Sequence, residues 1–252
     1  MDGILIVNKP VGWTSHDVVA VCRRQAGHAK TGHGGTLDPL ASGVLPILFG
    51  SATKFVERLH TAPKVYGASI LFGSETSTDD SEGEVLRHAP VPTLTPNDLE
   101  QALDAFRGEI SQVPPDYSAV KVRGRTAYAR ARAGEQLALA SRQVHIERFD
   151  PALWYPPTLR CLIVCSSGTY IRSLARDLGR ALGSAAHLAG LVRLAVGALE
   201  LDSATSIEAV RAASAEELAS RLLRADDAVL ALAARFASTP AERLLLDLMP
   251  PA

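Results

Sequence analysis

The sequence predicts an α+β fold with a mixed, largely antiparallel central sheet flanked by helices. Three observations lead to this prediction. Strand and helix patterns alternate irregularly, several strand candidates stand in hairpin-like pairs, and 47% of the 252 residues are hydrophobic, enough for a substantial core. A doubly wound parallel sheet would need a regular alternation of strands and helices, which the chain lacks.

The first third of the chain predicts three strands with helices between them. "GILIVNK", "GVLPILFG" and "KVYGASILFG" are continuous apolar runs typical of buried strands. "TSHDVVAVCRRQAG" has helical spacing, with Thr14 or Ser15 as N-cap and Gly27 as C-cap. "SATKFVERLH" predicts a short helix capped by Ser51.

The middle of the chain begins with "SETSTDDSEGE", which predicts an acidic loop. "LTPNDLEQALDAFRG" predicts a helix that Thr95 caps, with Pro96 at its first position and Gly108 at its end. "YSAVKVRGRTAYARARAGE" predicts a strand, a turn at Arg123 and Gly124, and a basic helix.

The remaining segments complete the sheet. "QVHIERFDPALWY" and "TLRCLIVCSS" predict two long strands, and "GTYIRSLARDLGRALG" predicts a helix that ends at Gly183. "LAGLVRLAVGALEL" favours a strand over a helix end, and the Ala-rich tail from Ser206 is helical in pattern. We therefore predict one domain over residues 1–205, followed by a short helical segment over 206–252.

The chain carries no pattern of secretion or membrane insertion. "MDGILIVNKP" contains an acid and only a short apolar run, so no signal peptide is predicted, and no stretch reaches the roughly 18 apolar residues of a membrane span. Three cysteines, Cys22, Cys161 and Cys165, form an odd and sparse set that fits a reducing compartment. We predict a cytoplasmic protein.

Charge is unevenly distributed along a chain whose net charge is −1. Residues 1–64 carry +3 and residues 108–195 carry +6, whereas residues 65–107 carry −6 and residues 196–252 carry −4. A basic face for nucleic acid beside acidic flanks and an ordinary mixed surface explain this pattern equally well. Candidate phosphate contacts are Arg23, Arg24, Lys30 and the Lys and Arg residues from Lys121 to Arg148.

The stretch "KTGHGGTLDPLASGVLPI" contains a single carboxylate, Asp38. The glycines before it allow a ligand to approach the main chain closely, and Pro39 disfavours helical torsion angles at Asp38. The carboxylate is therefore held at a fixed angle on an irregular loop. From these residues alone an Asx-type turn and a catalytic acid both stay open.

Other chemistries have weaker support. "GHGGT" lacks the lysine of a Walker loop, and no Ser/His/Asp set is evident. His28 and His33 stand five residues apart without a Cys or a second acid at ligand spacing, which disfavours zinc. These patterns thus give no support for a Walker-type nucleotide loop, a zinc site or a catalytic triad.

A second candidate constellation is "SSGTYIRSLARDLG". Gly168 predicts a turn and Thr169 a helix cap, which places Arg172 in the first helical turn. Arg176 and Arg180 follow at intervals of four residues on the same face. A solvated basic face and an inward Arg172 that holds an anion or a carboxylate both stay open.

Two aromatic residues accompany these segments. Tyr170 directly precedes the arginine helix and adds a ring beside Arg172. Tyr66 lies near the start of a predicted strand, and taken alone it is most simply a core residue.

Together and in this order, these segments closely resemble the TruB family of bacterial tRNA pseudouridine-55 synthases. The resemblance covers nearly everything from Gly3 to about Leu201. The segments that carry it are "ILIVNKPVGWTSHDVV", "GHGGTLDPLASGVLPI", "FRGEISQVPPDYSAVKVRGRTAYARARAGE", "GTYIRSLARDLG" and "LVRLAVG". It implies the pseudouridine synthase fold and an enzyme that isomerises uridine in the T arm of tRNA.

The resemblance also implies roles for the catalytic residues. Asp38 corresponds to the catalytic aspartate, Arg172 to the arginine that forms an ion pair with it, and Tyr66 to the ring that stacks on the target base. His33 corresponds to the histidine that helps to fill the space left in the RNA stem-loop.

Further residues are assigned as supporting or substrate-binding. Lys9 and Pro10 match the motif that supports the active-site loop, and Leu194 matches an apolar position that lines the base pocket. Tyr170 belongs to the arginine motif, lining the base or standing behind the residues that do. Lys121, in "YSAVK", is a candidate RNA contact.

The implied reaction breaks a C1′–N1 bond and forms a C1′–C5 bond, so it requires no cofactor or metal. Whether the aspartate attacks C1′, attacks C6 or acts as a base stays open. The target base must leave its stack, at a cost of a few kcal/mol that aromatic stacking partly offsets. We predict a monomer that acts on tRNA without a protein partner.

One departure from the family concerns the C-terminus. Relatives usually continue into an RNA-binding module of the PUA type, and the acidic tail is too short for a complete one. We expect a complete catalytic half with weaker RNA affinity than in longer relatives. The short tail also argues against the guide-RNA-dependent archaeal and eukaryotic relatives, whose assembly relies on that module. The alternatives are a non-catalytic tRNA-binding or tRNA-folding protein and a hydrolase that uses Asp38 with His33.

Overall fold

The computed structural model describes residues 1–118, 120–122, 124–135 and 138–225, without the side chains of Lys121, Val122 and Thr126. The strands are β1 (Gly3–Lys9), β2 (Thr31–His33), β3 (Ala41–Phe49), β4 (Lys64–Phe72), β5 (Ser74–Thr76), β6 (Val85–His88), β7 (Gly108–Gln112), β8 (Lys121–Val122), β9 (Arg125–Thr126), β10 (Arg142–Tyr155), β11 (Thr158–Cys165), β12 (Ala186–Val196), β13 (Leu199–Glu200) and β14 (Thr205–Ser206). The helices are α1 (Ser15–Gln25), α2 (Val56–Thr61), α3 (Pro96–Asp104), α4 (Ala127–Ala131), α5 (Ile171–Ala181), α6 (Ile207–Ala212) and α7 (Ala215–Ser220), with 3-10 helices at Gly50–Phe55 and Leu201–Ser203.

The described chain forms two compact units. Unit 1 contains Met1–Gly67 and residues 191–225, and unit 2 contains Ala68–Gly190. Strands β4 and β12 each contribute residues to both units. The predicted division into residues 1–205 and 206–252 stays a prediction, because 226–252 lie outside the described residues.

Unit 1 is built around β3. Strand β1 pairs with β3 antiparallel along its whole length, from Gly3 opposite Phe49 to Lys9 opposite Gly43. Because side chains alternate between the faces of a strand, the apolar run of β1 supplies both sides of the sheet. Leu5 and Val7 pack in one core cluster with Val18 and Cys22 of α1, while Ile4 and Ile6 pack in the other.

The other edge of β3 is shared by two strands. Strand β12 pairs with it parallel, Leu191 to Arg193 opposite Ala41 to Gly43. Strand β2 pairs with it antiparallel, Thr31 to His33 opposite Phe49 to Ile47. The loop that contains Asp38 therefore connects a strand on one part of this edge to β3 itself.

Unit 2 is organised on β10, which pairs antiparallel with β11 on one side and with β7 on the other. The part of β4 in this unit is the next neighbour of β11. The short strands β5 and β6 form a separate hairpin, and its residues 77–84 contain most of the acidic segment. Helix α5 follows β11 and places the arginine motif.

The predicted fold class is confirmed, because mixed pairing and helices are both present. The predicted cap at Thr95 is confirmed, and of the two candidates for α1, Thr14 and Ser15, the N-cap is Thr14. Each threonine forms a reciprocal capping box with the aspartate three residues later. The cap at Ser51 is wrong. That segment begins as a 3-10 helix at Gly50, and the Ser51 N–H donates to the Asp2 carboxylate.

Two predicted boundaries are also wrong. Helix α3 ends at Asp104, and Gly108, with φ +75°, begins strand β7, which the sequence pattern did not reveal. Part of the predicted acidic loop is strand β5. Within the described ranges, no helix has the length and apolarity to cross a bilayer.

Candidate active site

In unit 1 the loop that carries Asp38 is fixed on both sides of the carboxylate. The Ser15 hydroxyl accepts a hydrogen bond from the Leu37 N–H at 2.9 Å and lies 3.1 Å from the Leu37 carbonyl oxygen. On the other side, the Pro39 carbonyl accepts the Gly12 N–H at 2.8 Å. The half-buried Asp38 therefore stands between two anchored neighbours.

The same loop also contains a main-chain turn. The Ala41 N–H donates to the Asp38 carbonyl at 3.0 Å. This turn uses the main-chain oxygen of Asp38 and is therefore not the Asx-type turn, in which the carboxylate itself would be the acceptor. The choice between an Asx-type turn and a catalytic acid stays a prediction.

Lys9 stabilises this loop through its buried side chain. Its side chain is fully buried, and Nζ donates to the carbonyls of Trp13 at 2.6 Å, Pro10 at 2.9 Å and Pro39 at 3.5 Å. A buried ammonium needs such acceptors, because leaving it unpaired would be costly. Lys9 thereby connects the chain before α1 to the residue that follows Asp38.

His33, the last residue of β2, lies half-buried at the start of the loop. Burial, together with the neighbouring His16, His60 and Arg193, lowers the pKa of His33 to about 4. Its ring meets that of His16 edge to face, with centroids 5.7 Å apart. At neutral pH His33 is therefore an uncharged ring and not a phosphate-binding cation.

No histidine cluster in the described residues is a metal site. Groups of three or more His, Cys, Asp or Glu side chains arranged to hold an ion are absent there. The Nδ1 atom of His33 is buried and, among the described residues, has no hydrogen-bond partner.

Tyr66 lies on β4, buried, with only 8% of its surface exposed. Its side chain interacts electrostatically with the guanidinium of Arg193, a residue that the sequence analysis did not single out. Arg193 is 1% exposed and also donates to main-chain carbonyls of the Asp38 loop. A charged residue inside the apolar run "LVRLAVG" was the signal that could have revealed it.

Leu194 follows Arg193 on β12 and is also buried. Side chains alternate along a strand, so Leu194 points to the face opposite Arg193. Val196 lies on the same face as Leu194 and belongs to an apolar core cluster. The role of Leu194 in lining the base pocket stays a prediction.

In unit 2, Arg172 lies in the first turn of α5 and is buried. Its Nη1 and Nη2 atoms donate to the carbonyls of Thr78 at 2.9 Å and Tyr117 at 3.0 Å, and Nε lies 3.7 Å from a carboxylate oxygen of Asp80. The side chain is therefore held in one orientation within its unit. This excludes the solvated basic face as a description of Arg172.

The next two arginines of α5 are held by the same acidic segment. Arg176 contacts the Asp79 carboxylate at 2.7 Å and donates to the Val113 carbonyl at 3.0 Å. Arg180 forms two hydrogen bonds to Glu75, at 2.9 and 2.8 Å. The predicted common face of these arginines is confirmed, and its partner is the acidic hairpin.

The Glu75 pairings make a testable contribution to stability. Burial raises the pKa of Glu75, but hydrogen bonds from Arg180 and Arg87 outweigh it and lower the pKa to about 2. A depressed carboxyl pKa stabilises the folded state above the unfolded pKa, near 4.5, and this stabilisation is lost as the pH falls from there towards 2. In urea unfolding, Glu75→Gln should therefore destabilise the protein at pH 7 and much less at pH 3.

Glu84→Gln, an exposed change in the same hairpin, is the matched control and should leave stability near that of the parent at both pH values. A Glu75→Gln deficit that does not change with pH would mean that the ion pairs contribute nothing and only packing is lost.

Tyr170 is the N-cap of α5 and makes no side-chain cap bond. The predicted cap at Thr169 is wrong, because its hydroxyl donates to the Ser166 carbonyl instead. The buried amide of Gln112 accepts the Tyr170 N–H at 2.8 Å and donates to its carbonyl at 3.0 Å. The guanidinium of Arg142 lies 4.4 Å from the centroid of the Tyr170 ring, so Gln112 holds the main chain of Tyr170 and Arg142 contacts its ring.

Lys121 lies in the short strand β8, and its side chain is outside the described residues. Its proposed RNA contact therefore stays a prediction. The same holds for the ion pair between Asp38 and Arg172, which belong to different units.

Comparison with known proteins decides the family. The model of the TruB family pseudouridylate synthase, N-terminal domain, matches residues 23–171. The chain is 46% identical over 228 residues to tRNA pseudouridine synthase B of Ralstonia nicotianae, covering 89% of this chain and 72% of that protein. The chain belongs to the TruB family.

Further relatives agree with this assignment. The proteins named tRNA pseudouridine synthase B from an Arthrobacter species and from Mycobacterium tuberculosis are 47% and 45% identical, over 86% and 95% of this chain and 72% and 80% of those proteins. As a member of the TruB family, the chain is a pseudouridine synthase, an isomerase.

Solved structures show the same fold as this TruB-family chain. A Cbf5-Nop10-Gar1 complex contains a chain with a TM-score of 0.64 and 30% identity, over 82% of this chain and 52% of that one. An H/ACA RNP bound to a substrate RNA containing 2′-deoxyuridine gives a TM-score of 0.61 and 26% identity, again over 82% of this chain and 51% of that one. The chain spans about half the length of these solved chains.

Proposed function

We propose that this chain converts the uridine at position 55, in the T arm of tRNA, to pseudouridine, with Asp38 as the essential carboxylate. The family and the names of the curated relatives support uridine isomerisation in tRNA. The main support for this role of Asp38 is the structure of its loop. Ser15, Gly12 and Lys9 anchor the residues on both sides of Asp38.

The reaction conserves the atoms of the nucleotide apart from an exchanged proton. The C1′–N1 bond breaks, the uracil turns, and a C1′–C5 bond forms while C5 loses its hydrogen as a proton and N1 gains one. A carboxylate that is ionised at neutral pH serves as nucleophile or base for this sequence. We propose no cofactor or metal for it.

The neighbouring residues give the target base its environment. Tyr66 stacks on the everted uracil, which offsets part of the cost of leaving the RNA stack. His33, neutral because its pKa is about 4, fills space in the stem-loop as an apolar ring. Arg172, oriented by the carbonyls of Thr78 and Tyr117, forms an ion pair with Asp38.

The RNA is held mainly by its shape and its phosphates. Arg176 and Arg180 are engaged with Asp79 and Glu75, so exposed residues elsewhere make the phosphate contacts. Arg23, Arg24 and Lys30 are exposed and suit this role. We further propose a cytoplasmic monomer that needs no protein partner.

The loss of hydrogen from C5 gives a direct test. A tRNA transcript labelled with tritium at C5 of uridine should release tritium to water at one equivalent per molecule of tRNA. A hydrolase would release labelled uracil and no tritium to water. A protein that only binds or folds tRNA would release neither, and either of these two results would contradict the proposal.

A further inference from the structure

Arg193 occupies a gap in the pairing of β3. Strand β12 pairs with residues 41–43 of β3, and β2 pairs with residues 47–49, while the Gly34 N–H donates to the Pro46 carbonyl. Between these partners, the Val44 carbonyl accepts a hydrogen bond from Arg193 Nε at 2.8 Å. A side chain thus replaces the main-chain donor that a continuous strand would supply.

The other end of the guanidinium binds the loop before Asp38. Nη2 donates to the Gly35 carbonyl at 3.0 Å and Nη1 to the Thr36 carbonyl at 3.2 Å. Thr36 is two residues before Asp38 in the sequence. The same guanidinium interacts electrostatically with the Tyr66 side chain.

We propose that Arg193 is a positioning residue that locks the Asp38 loop and the Tyr66 ring into a single geometry for the isomerisation. This inference rests on the proposed function, because it assigns Asp38 and Tyr66 to the reacting site. Arg193 itself is buried and acts through both residues.

The chemistry of arginine suits this task. Its planar group presents five N–H donors in a fixed fork, whereas lysine has a flexible point charge. The three groups that accept these hydrogen bonds are neutral carbonyls. Since a buried charge is costly without good partners, the site depends on each of these bonds.

The main chain of β3 is adapted to this arrangement. Gly43 lies opposite Arg193 with φ +101°, a torsion angle that favours glycine, and a Cβ there would overlap the main chain of Arg193. Glycine therefore lets β12 approach closely enough for the guanidinium to reach the gap.

The test compares three proteins, Arg193→Lys, Tyr66→Phe and the double variant. For each, we measure the rate of single-turnover pseudouridine formation with excess protein, the tRNA affinity and the thermal midpoint. Arg107→Lys is the matched control, because Arg107 also donates to a main-chain carbonyl, that of Phe149 at 2.8 Å, but has no place in the proposed site. If the Arg193→Lys variant does not fold, Arg193→Gln is used in its place.

The proposal predicts that Arg193→Lys slows the single-turnover rate about 100-fold while tRNA affinity stays near that of the parent. The double variant should be no slower than the slower single variant, because both changes break one unit. A folded Arg193 variant with the parental rate, or two losses that multiply, would overturn it. A parent protein that forms no pseudouridine would instead refute the proposed function.

Discussion

Asp38→Asn should abolish pseudouridine formation, with a loss of about 10⁴-fold or more, while the protein still binds tRNA. Asparagine has nearly the same shape, and the contacts that anchor the loop come from neighbouring residues and main-chain atoms, so the loop should keep its conformation. What disappears is the negative charge that attacks the nucleotide or accepts its proton. Single-turnover assays with labelled tRNA measure the rate, and filter binding measures the affinity.

Asp104→Asn is the control for this change, because the Asp104 side chain is 79% exposed and ends α3 far along the chain from the proposed site. It should keep the parental rate. If Asp38→Asn retains substantial activity, Asp38 belongs to the turn alone and another group performs the chemistry.

Arg172→Ala should reduce the rate by about 10²–10³-fold, whereas Arg180→Ala should have a small effect. The Arg172 side chain is 7% exposed and is oriented by two carbonyls and Asp80, as expected of a group that fixes a carboxylate. The Arg180 side chain is 55% exposed, and its partner is Glu75. Turnover and thermal midpoint are measured for both variants.

Arg172→Lys keeps the charge but loses the planar fork, so it should recover only part of the lost rate. Equal losses in the two alanine variants, or a loss that follows only the thermal midpoint, would assign Arg172 a general phosphate-binding or structural role.

Local signals in the sequence were sufficient for elements with strong patterns. The apolar runs of β1, β3 and β4 and the N-caps of α1 and α3 each depend on neighbouring residues, and the structure has these strands, the cap at Thr95 and the first of the two cap candidates for α1. Helix α5 was also predictable. Its arginines recur every four residues, which places three guanidinium groups on one face of a helix.

Features that depend on distant residues were not predictable. Strand β7 is short and alternates weakly, and its pairing with β10 determines its conformation. The partners of Arg176 and Arg180 come from an acidic segment 97 and 105 residues earlier, where the sequence alone indicated only an acidic loop. Gln112 and Arg193 gain their roles through contacts across the fold.

The most direct test of the account is to map pseudouridine in a defined tRNA transcript after incubation with the pure protein, by carbodiimide modification and mass spectrometry. The account predicts conversion at position 55 alone, and none in a transcript that carries cytidine there. An unchanged transcript that nevertheless binds the protein, or an abasic site at position 55, would contradict it.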